Sequence, residues 1–148
     1  MEPQISYVRS ADGTRIAMST FGRGRPFVLN APIGWFTMEA YWLLPTWRAG
    51  LERFAQRRQV VLFDPRGQGL SERNVSDYSF DARVADLTAV VDRLGSSEVD
   101  LMGIQVGVQV VIGFAAENPD IARRLILNNA VPRGGTSALL PSNGPSGL

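Results

Sequence analysis

The segment from Gly103 to Gly107 has the residue spacing most closely tied to chemistry in this chain. Its sequence is Gly-Ile-Gln-Val-Gly, so two glycines frame a central residue as in the G-x-S-x-G motif. In that motif a serine on a sharp strand-to-helix turn presents its hydroxyl for attack on a carbonyl carbon. Gln105 occupies the central position here, and its amide nitrogen is not nucleophilic because the lone pair is delocalised. We therefore expect no covalent catalysis at this position.

Gln105 has two interpretations. Its amide group could hydrogen-bond a ligand, or the residue could be a substitution that followed the loss of catalysis, and we favour the second. The chain contains no histidine, so it offers no imidazole as general base. General acid–base assistance contributes about 10²–10⁴-fold to a rate. No Ser-His-acid triad can therefore be assembled from these residues.

The composition excludes several function classes. The chain has 148 residues, a net charge of +1 and 45% hydrophobic residues, as expected of one globular domain. It has no cysteine and no carboxylate constellation, so we expect no metal and no cofactor. The near-neutral charge argues against nucleic acid as a partner. The longest apolar stretch, residues 106–116, is too short for the ~20 residues of a membrane span, and we predict a cytoplasmic protein.

Strands and helices alternate along the chain after an opening hairpin. Apolar runs and turn residues predict strands at residues 5–9, 15–20, 27–29, 60–63, 99–102 and 125–127, and helices at 46–56, 80–94 and 106–117. This order predicts an α/β fold: a mostly parallel sheet with helices on both faces and an N-terminal antiparallel hairpin. Residues 30–44 are expected to be irregular and the 125–127 strand to be buried.

The helix predicted at residues 80–94 has the clearest periodicity. Ser79 is its expected N-cap and Gly95 its expected C-terminal stop. We expect Asp81, Asp86 and Asp92 to lie on its solvated face.

Three motifs resemble the α/β-hydrolase family. The segment from Asp64 to Ser71 (DPRGQGLS) is similar to the family's D-x-R-G-x-G-x-S segment, and it precedes the Gly103–Gly107 turn in the family's order. The opening hairpin around Asp12-Gly13 is also typical of the family. More narrowly, Trp35, Trp47 and Tyr78-Ser79-Phe80 resemble hydrolase-like domains found beside adenylate cyclases or helix-turn-helix regulators. The resemblance covers residues 5–131.

The resemblance implies roles for particular residues. Gly103 and Gly107 leave room where strand and helix approach, and the segment containing Asp64, Arg66, Gly67 and Gly69 braces the loop beside the pocket. The family's oxyanion hole uses the backbone N–H of the residue after the nucleophile, here Val106, and one from a loop that usually contains His-Gly. This chain has Asn30-Ala31-Pro32 there. Asn30, Ala31, Val106 and Trp35 are the candidate oxyanion-loop or ligand-pocket residues.

The resemblance also implies that the fold is truncated. The family's eight-stranded fold places its acid and histidine beyond the strands predicted here. We therefore divide the chain into a partial hydrolase-like domain, residues 1–131, and a disordered tail, residues 132–148. The favoured interpretation is a catalytically inactive remnant or a ligand-binding, sensor-type domain for a small molecule. Two alternatives remain: a hydrolase that obtains its missing residues from elsewhere, and an interaction module that recruits another protein through an exposed sheet edge. We also expect self-association through that edge.

Overall fold

The structure, a computed structural model, describes residues 3–31 and 37–130. The strands are β1 (Gln4–Arg9), β2 (Arg15–Gly22), β3 (Pro26–Asn30), β4 (Gln59–Phe63), β5 (Val99–Ile104) and β6 (Ala122–Asn128). The helices are α1 (Met38–Leu43), α2 (Pro45–Ala55), α3 (Phe80–Leu94) and α4 (Gly107–Glu117). The predicted tail at 132–148 and the residues 32–36 lie outside the described part of the chain.

The six strands form one mixed sheet in the order β1-β2-β4-β3-β5-β6. β2 pairs antiparallel with both β1 and β4, whereas β4, β3, β5 and β6 are parallel neighbours. The predicted fold class is therefore confirmed, including the antiparallel hairpin at the start. The carboxyl ends of β3, β4 and β5 meet at one edge of the sheet, and this is where open α/β sheets bind ligands.

Each face of the sheet is covered by its own pair of helices. Val61 and Phe63 of β4 point into a core shared with α3 and α4, and Val60 and Leu62 point into a second core shared with α1 and α2. The alternation follows from the two-residue period of a strand, and both faces must be apolar because both are covered. Each such side chain contributes about 1.5–3 kcal/mol when it is fully buried.

Helix α3 begins and ends where the sequence predicts. The Ser79 hydroxyl accepts a hydrogen bond from the Ala82 N–H at 3.2 Å, and Gly95 ends the helix with φ +59°. The expectation that Asp86 is solvated is wrong, because its residue is only 1% exposed. Its carboxylate is paired with the buried guanidinium of Arg66, which lies in the loop after β4. Periodicity along one helix does not reveal a pairing between separate segments.

Two other expectations are wrong. Helix α1 lies inside a region expected to be irregular, and Thr37 caps it by accepting a hydrogen bond from the Ala40 N–H at 3.3 Å. The last strand is not buried: Leu125, Ile126 and Leu127 are 38%, 45% and 43% exposed. Among the described residues β6 is the last strand of the sheet order, and β5 is its one strand neighbour.

No helix within residues 3–31 and 37–130 has the length and apolar character needed to cross a membrane.

Candidate functional site

The turn between β5 and α4 holds Gln105 in a backbone conformation that few residues adopt. Its φ is +52°, in the left-handed region, which costs an L-residue about 1–2 kcal/mol. Both backbone polar groups are paired: the N–H donates to the Asn128 carbonyl at 3.0 Å, and the carbonyl accepts from the Val108 N–H at 3.1 Å. These bonds hold the turn, and the Gln105 side chain is left exposed at its tip.

Glycine is required on both sides of this turn because the backbone approaches other atoms too closely for a side chain. A Cβ on Gly103 would lie 2.6 Å from the Cα of Val108. A Cβ on Gly107 would overlap the backbone carbonyl oxygen of Asn30. The beginning of α4 therefore packs directly against the end of β3, as the two-glycine spacing implies.

Three of the residues assigned to the oxyanion loop or ligand pocket line one small cavity beside the turn. Asn30 and Ala31 form one wall, and Val106 with Gly107 forms the other. The cavity volume is about 10 Å³, which is room for one water molecule. Arg83 also lines the cavity, and its buried Nε has no hydrogen-bond partner within residues 3–31 and 37–130. Trp35, the fourth of these residues, lies outside the described part of the chain.

The groups presented at the turn are hydrogen-bond donors and acceptors rather than nucleophiles. Gln105 offers a neutral carboxamide, and Val106 is the N-cap residue of α4, at the helix end where backbone N–H groups have no partner within the helix. The partial positive charge of a helix N-terminus favours an acceptor or anion there. Gln105 and the beginning of α4 can therefore orient a polar ligand, and neither of them supplies a nucleophilic side chain.

Arg66 lies in the loop after β4 and is almost fully buried, with 2% exposure. Its Nε and Nη2 donate to the two carboxylate oxygens of Asp86 at 2.8 and 2.7 Å, and its Nη1 donates to Asp12 at 2.8 Å. The hydrogen bonds that Arg66 donates to Asp86 raise the pKa of Arg66, and the one that it donates to Asp12 lowers the pKa of Asp12 to about 2. One guanidinium thus ties the loop to α3 and to the β1–β2 hairpin.

Asp64 organises the same loop through its carboxylate. One oxygen accepts from the Met38 N–H at the start of α1, and the other accepts from the Leu70 N–H, both at 2.8 Å. Burial raises the pKa of Asp64. A Cβ on Gly69 would overlap this carboxylate, and Gly67, at φ +79°, lies against the ring of Tyr78. Asp64, Arg66, Gly67 and Gly69 thus hold the loop and present no reactive group to solvent.

Sequence reasoning missed the contribution of Arg83 and Asp86 to the region beside the turn. Both lie on α3. The apolar periodicity of this helix predicts which apolar side chains enter the core, but it does not predict contacts of the charged ones. Within residues 3–31 and 37–130, no group of three or more acidic side chains is placed to hold a metal ion.

Comparison with known proteins places this geometry in a family. A profile described as the alpha/beta hydrolase fold matches residues 34–144. A soluble epoxide hydrolase of Corynebacterium sp. strain C12 is 28% identical over 123 residues, which are 82% of this chain and 40% of the relative. A 2-hydroxy-6-oxo-2,4-heptadienoate hydrolase of Pseudomonas putida is 30% identical over 129 residues, 86% of this chain and 45% of the relative.

A solved structure agrees with these relatives. An esterase from Rhodococcus sp. ECU1013 superimposes with a TM-score of 0.73 and 27% sequence identity. The superposition covers 88% of this chain and 48% of the esterase. The chain spans less than half the length of each of these relatives.

We predict that Gly107→Ala lowers the free energy of unfolding by about 1–3 kcal/mol, the usual cost of overpacking, because its Cβ overlaps the Asn30 carbonyl. Gly50→Ala is the matched control: it lies in α2 with nothing within 4 Å of its Cβ, and we expect a gain of about 0.4–1 kcal/mol. Urea denaturation measures both. Equal stability of Gly107→Ala and wild type would contradict the close approach of α4 to β3.

Proposed function

The chain belongs to the α/β-hydrolase fold family, and from this membership we propose that the turn from Gly103 to Gly107 is the family's nucleophile turn, retained without a nucleophile. In this proposal the chain binds a small-molecule ligand at the turn and does not cleave it. The observation that carries the proposal is the left-handed, exposed Gln105 at the start of α4.

The position of Gln105 supports this assignment. A nucleophile on such a turn is pushed out of the sheet by the strained backbone, so that its side chain stands free above the strand ends. Gln105 has that strained conformation, with φ +52°. Its chemistry differs, because a carboxamide can donate and accept hydrogen bonds but cannot form an ester intermediate.

The ligand's chemistry follows from the donors around Gln105. The carboxamide N–H₂ and the N–H groups at the beginning of α4 favour an oxygen acceptor, such as a carbonyl or an ether oxygen. Relatives named as an epoxide hydrolase and an esterase act on molecules that carry such oxygens. A carboxamide at the turn would donate a hydrogen bond to such an oxygen and would not attack the adjacent carbon.

A sensor role is the form of this proposal that we favour. The resemblance of Trp47 and Tyr78-Ser79-Phe80 to hydrolase-like domains beside adenylate cyclases or helix-turn-helix regulators supports it. Such a domain would report ligand occupancy rather than turn the ligand over.

We predict that the wild-type chain hydrolyses p-nitrophenyl acetate and styrene oxide no faster than Gln105→Ala. The physical reason is that residue 105 supplies no hydroxyl or carboxylate, and the chain holds no histidine to activate one. Gln105→Ser and Gln105→Asp should restore a nucleophile but not turnover, because general-base help worth about 10²–10⁴-fold is still missing. Initial rates by absorbance and by product chromatography measure this.

Gln109→Ala is the matched control, since Gln109 is an exposed glutamine on α4 away from the turn. Wild-type turnover that Gln105→Ala abolishes and Gln109→Ala preserves would overturn the non-catalytic proposal. It would favour the alternative in which the chain acts as a hydrolase.

A second candidate function rests on β6, the last strand in the sheet order of the described residues. Leu125, Ile126 and Leu127 expose apolar side chains there, beside a backbone edge that can pair with another strand. We propose that this edge pairs with β6 of a second copy. Continuous pairing would satisfy the free backbone groups and cover apolar surface from both copies.

The charges on β6 favour an antiparallel arrangement. Arg123 and Arg124 lie near the start of the strand, and Asn128 ends it. In an antiparallel pair centred on Leu125 and Ile126, the arginines of the two copies lie at opposite ends. A parallel pair would put arginine beside arginine, which is destabilising.

We predict that the wild-type chain dimerises reversibly and that Ile126→Arg makes it monomeric, because the change places a cation in the centre of the paired edge. Ile112→Arg is the matched control: Ile112, on α4, is also 45% exposed, and its variant should still dimerise. Sedimentation velocity over a concentration series measures both. A monomeric wild type at all concentrations, or equal loss of dimer in both variants, would contradict pairing through β6.

A further inference from the structure

A groove lies between α1 and the sheet, on the face of β1, β2 and β4 that α2 leaves open. Its floor is a row of register partners, since Ile5 of β1 faces Ser19 of β2 and Ser19 faces Leu62 of β4. Trp42 and Leu43 of α1 form one wall. The groove has a volume of about 420 Å³, and small-molecule sites usually have about 300–1,000 Å³.

The apolar side chains around this groove are unusually exposed. Ile5 is 55%, Leu43 is 70% and Leu70 is 44% exposed, and all three line the same concavity. Single exposed apolar residues need no explanation, but a cluster that lines a concave surface is typical of a binding site. Covering these side chains would contribute about 25 cal/mol for each Å² of apolar surface removed from water.

Trp42 gives the groove a fixed aromatic wall. Its ring is held edge-on by Phe21, with centroids 5.4 Å apart, and Arg48 lies 4.8 Å from its centroid. The charge of Arg48 is balanced by Glu52 at 3.2 Å. The wall is therefore preorganised, which lowers the conformational entropy lost on binding.

The charge at the groove is negative. Glu39 lines it, is exposed, and has no ion-pair partner within residues 3–31 and 37–130. Among the described residues that line the groove there is no arginine, although the chain contains 15 basic residues. The buried Asp64 is close enough for the charge of Glu39 to contribute to raising its pKa. A cationic group at this end would be attracted by the carboxylate of Glu39.

We propose that this groove binds a small cationic amphiphile, with an apolar body along Ile5, Trp42 and Leu43 and a protonated amine beside Glu39. The Ser19 hydroxyl on the floor can accept a further hydrogen bond from the amine or a substituent near it. The site is separate from the turn at Gln105, on the opposite side of the sheet from α4. The proposal therefore does not depend on the function proposed for Gln105.

Isothermal titration calorimetry with three probes that share one apolar body tests the proposal. The probes are 4-phenylbutylamine, 4-phenylbutan-1-ol and 4-phenylbutyrate, which are cationic, neutral and anionic at neutral pH. We expect the amine to bind most tightly and the carboxylate most weakly. Glu39→Gln should weaken amine binding by about two- to fivefold, the size expected of an exposed ion pair, and leave the alcohol unchanged.

Substitutions on the apolar walls distinguish probe binding in the groove from probe binding to other apolar surfaces. Leu43→Gln should weaken all three probes, and because Leu43 is 70% exposed the fold should survive, as checked by circular dichroism. Ile112→Gln, at an exposed isoleucine on the other face, is the control and should leave binding unchanged. Equal affinity for the three probes, no heat of binding at millimolar probe, or binding that Leu43→Gln leaves intact would each overturn the proposal.

Discussion

The rest of the site depends on the contact between the beginning of α4 and the end of β3. Gly107 lies against the Asn30 carbonyl and Gly103 lies against Val108, so strand, turn and helix meet with no room for a side chain. Two elements that approach so closely can be joined only by a sharp turn. The residue at its tip must then adopt a left-handed backbone, and Gln105 does so at φ +52°. Backbone packing thus fixes the position of residue 105, whatever its side chain can do.

A buried network supports this arrangement from the other side. The guanidinium of Arg66 joins the loop after β4 to α3 through Asp86, and the carboxylate of Asp64 joins the same loop to the start of α1. Buried ions of this kind tolerate no loss of a partner, because an unpaired charge in the interior costs about 3–5 kcal/mol. These bonds hold the loop in place, and the charged groups of Asp64 and Arg66 are occupied by partners within the protein.

Much of the fold is predictable from the sequence, and the physical reasons are local. Apolar runs identify the strands, and the cap residues Ser79 and Gly95 act within one turn of their own helix. The burial of Asp86 was not predictable in this way, because it depends on Arg66, 20 residues earlier in the chain. The exposure of Leu125 to Leu127 likewise depends on what packs beside the strand. The apolar composition of the strand alone predicts that it is buried. At the site, the glycine spacing indicated the turn, whereas the small cavity beside it depends on the packing of α3 and α4 against the end of β3, which the sequence alone does not show.

We propose that the chain retains a hydrolase architecture without covalent chemistry at the turn around Gln105. Mass spectrometry of the acid-quenched chain after incubation with p-nitrophenyl acetate or styrene oxide, with sequencing of the peptide that contains Gln105, tests this proposal. We expect an unmodified peptide at every time point. An acyl or alkyl adduct on Gln105 would contradict it.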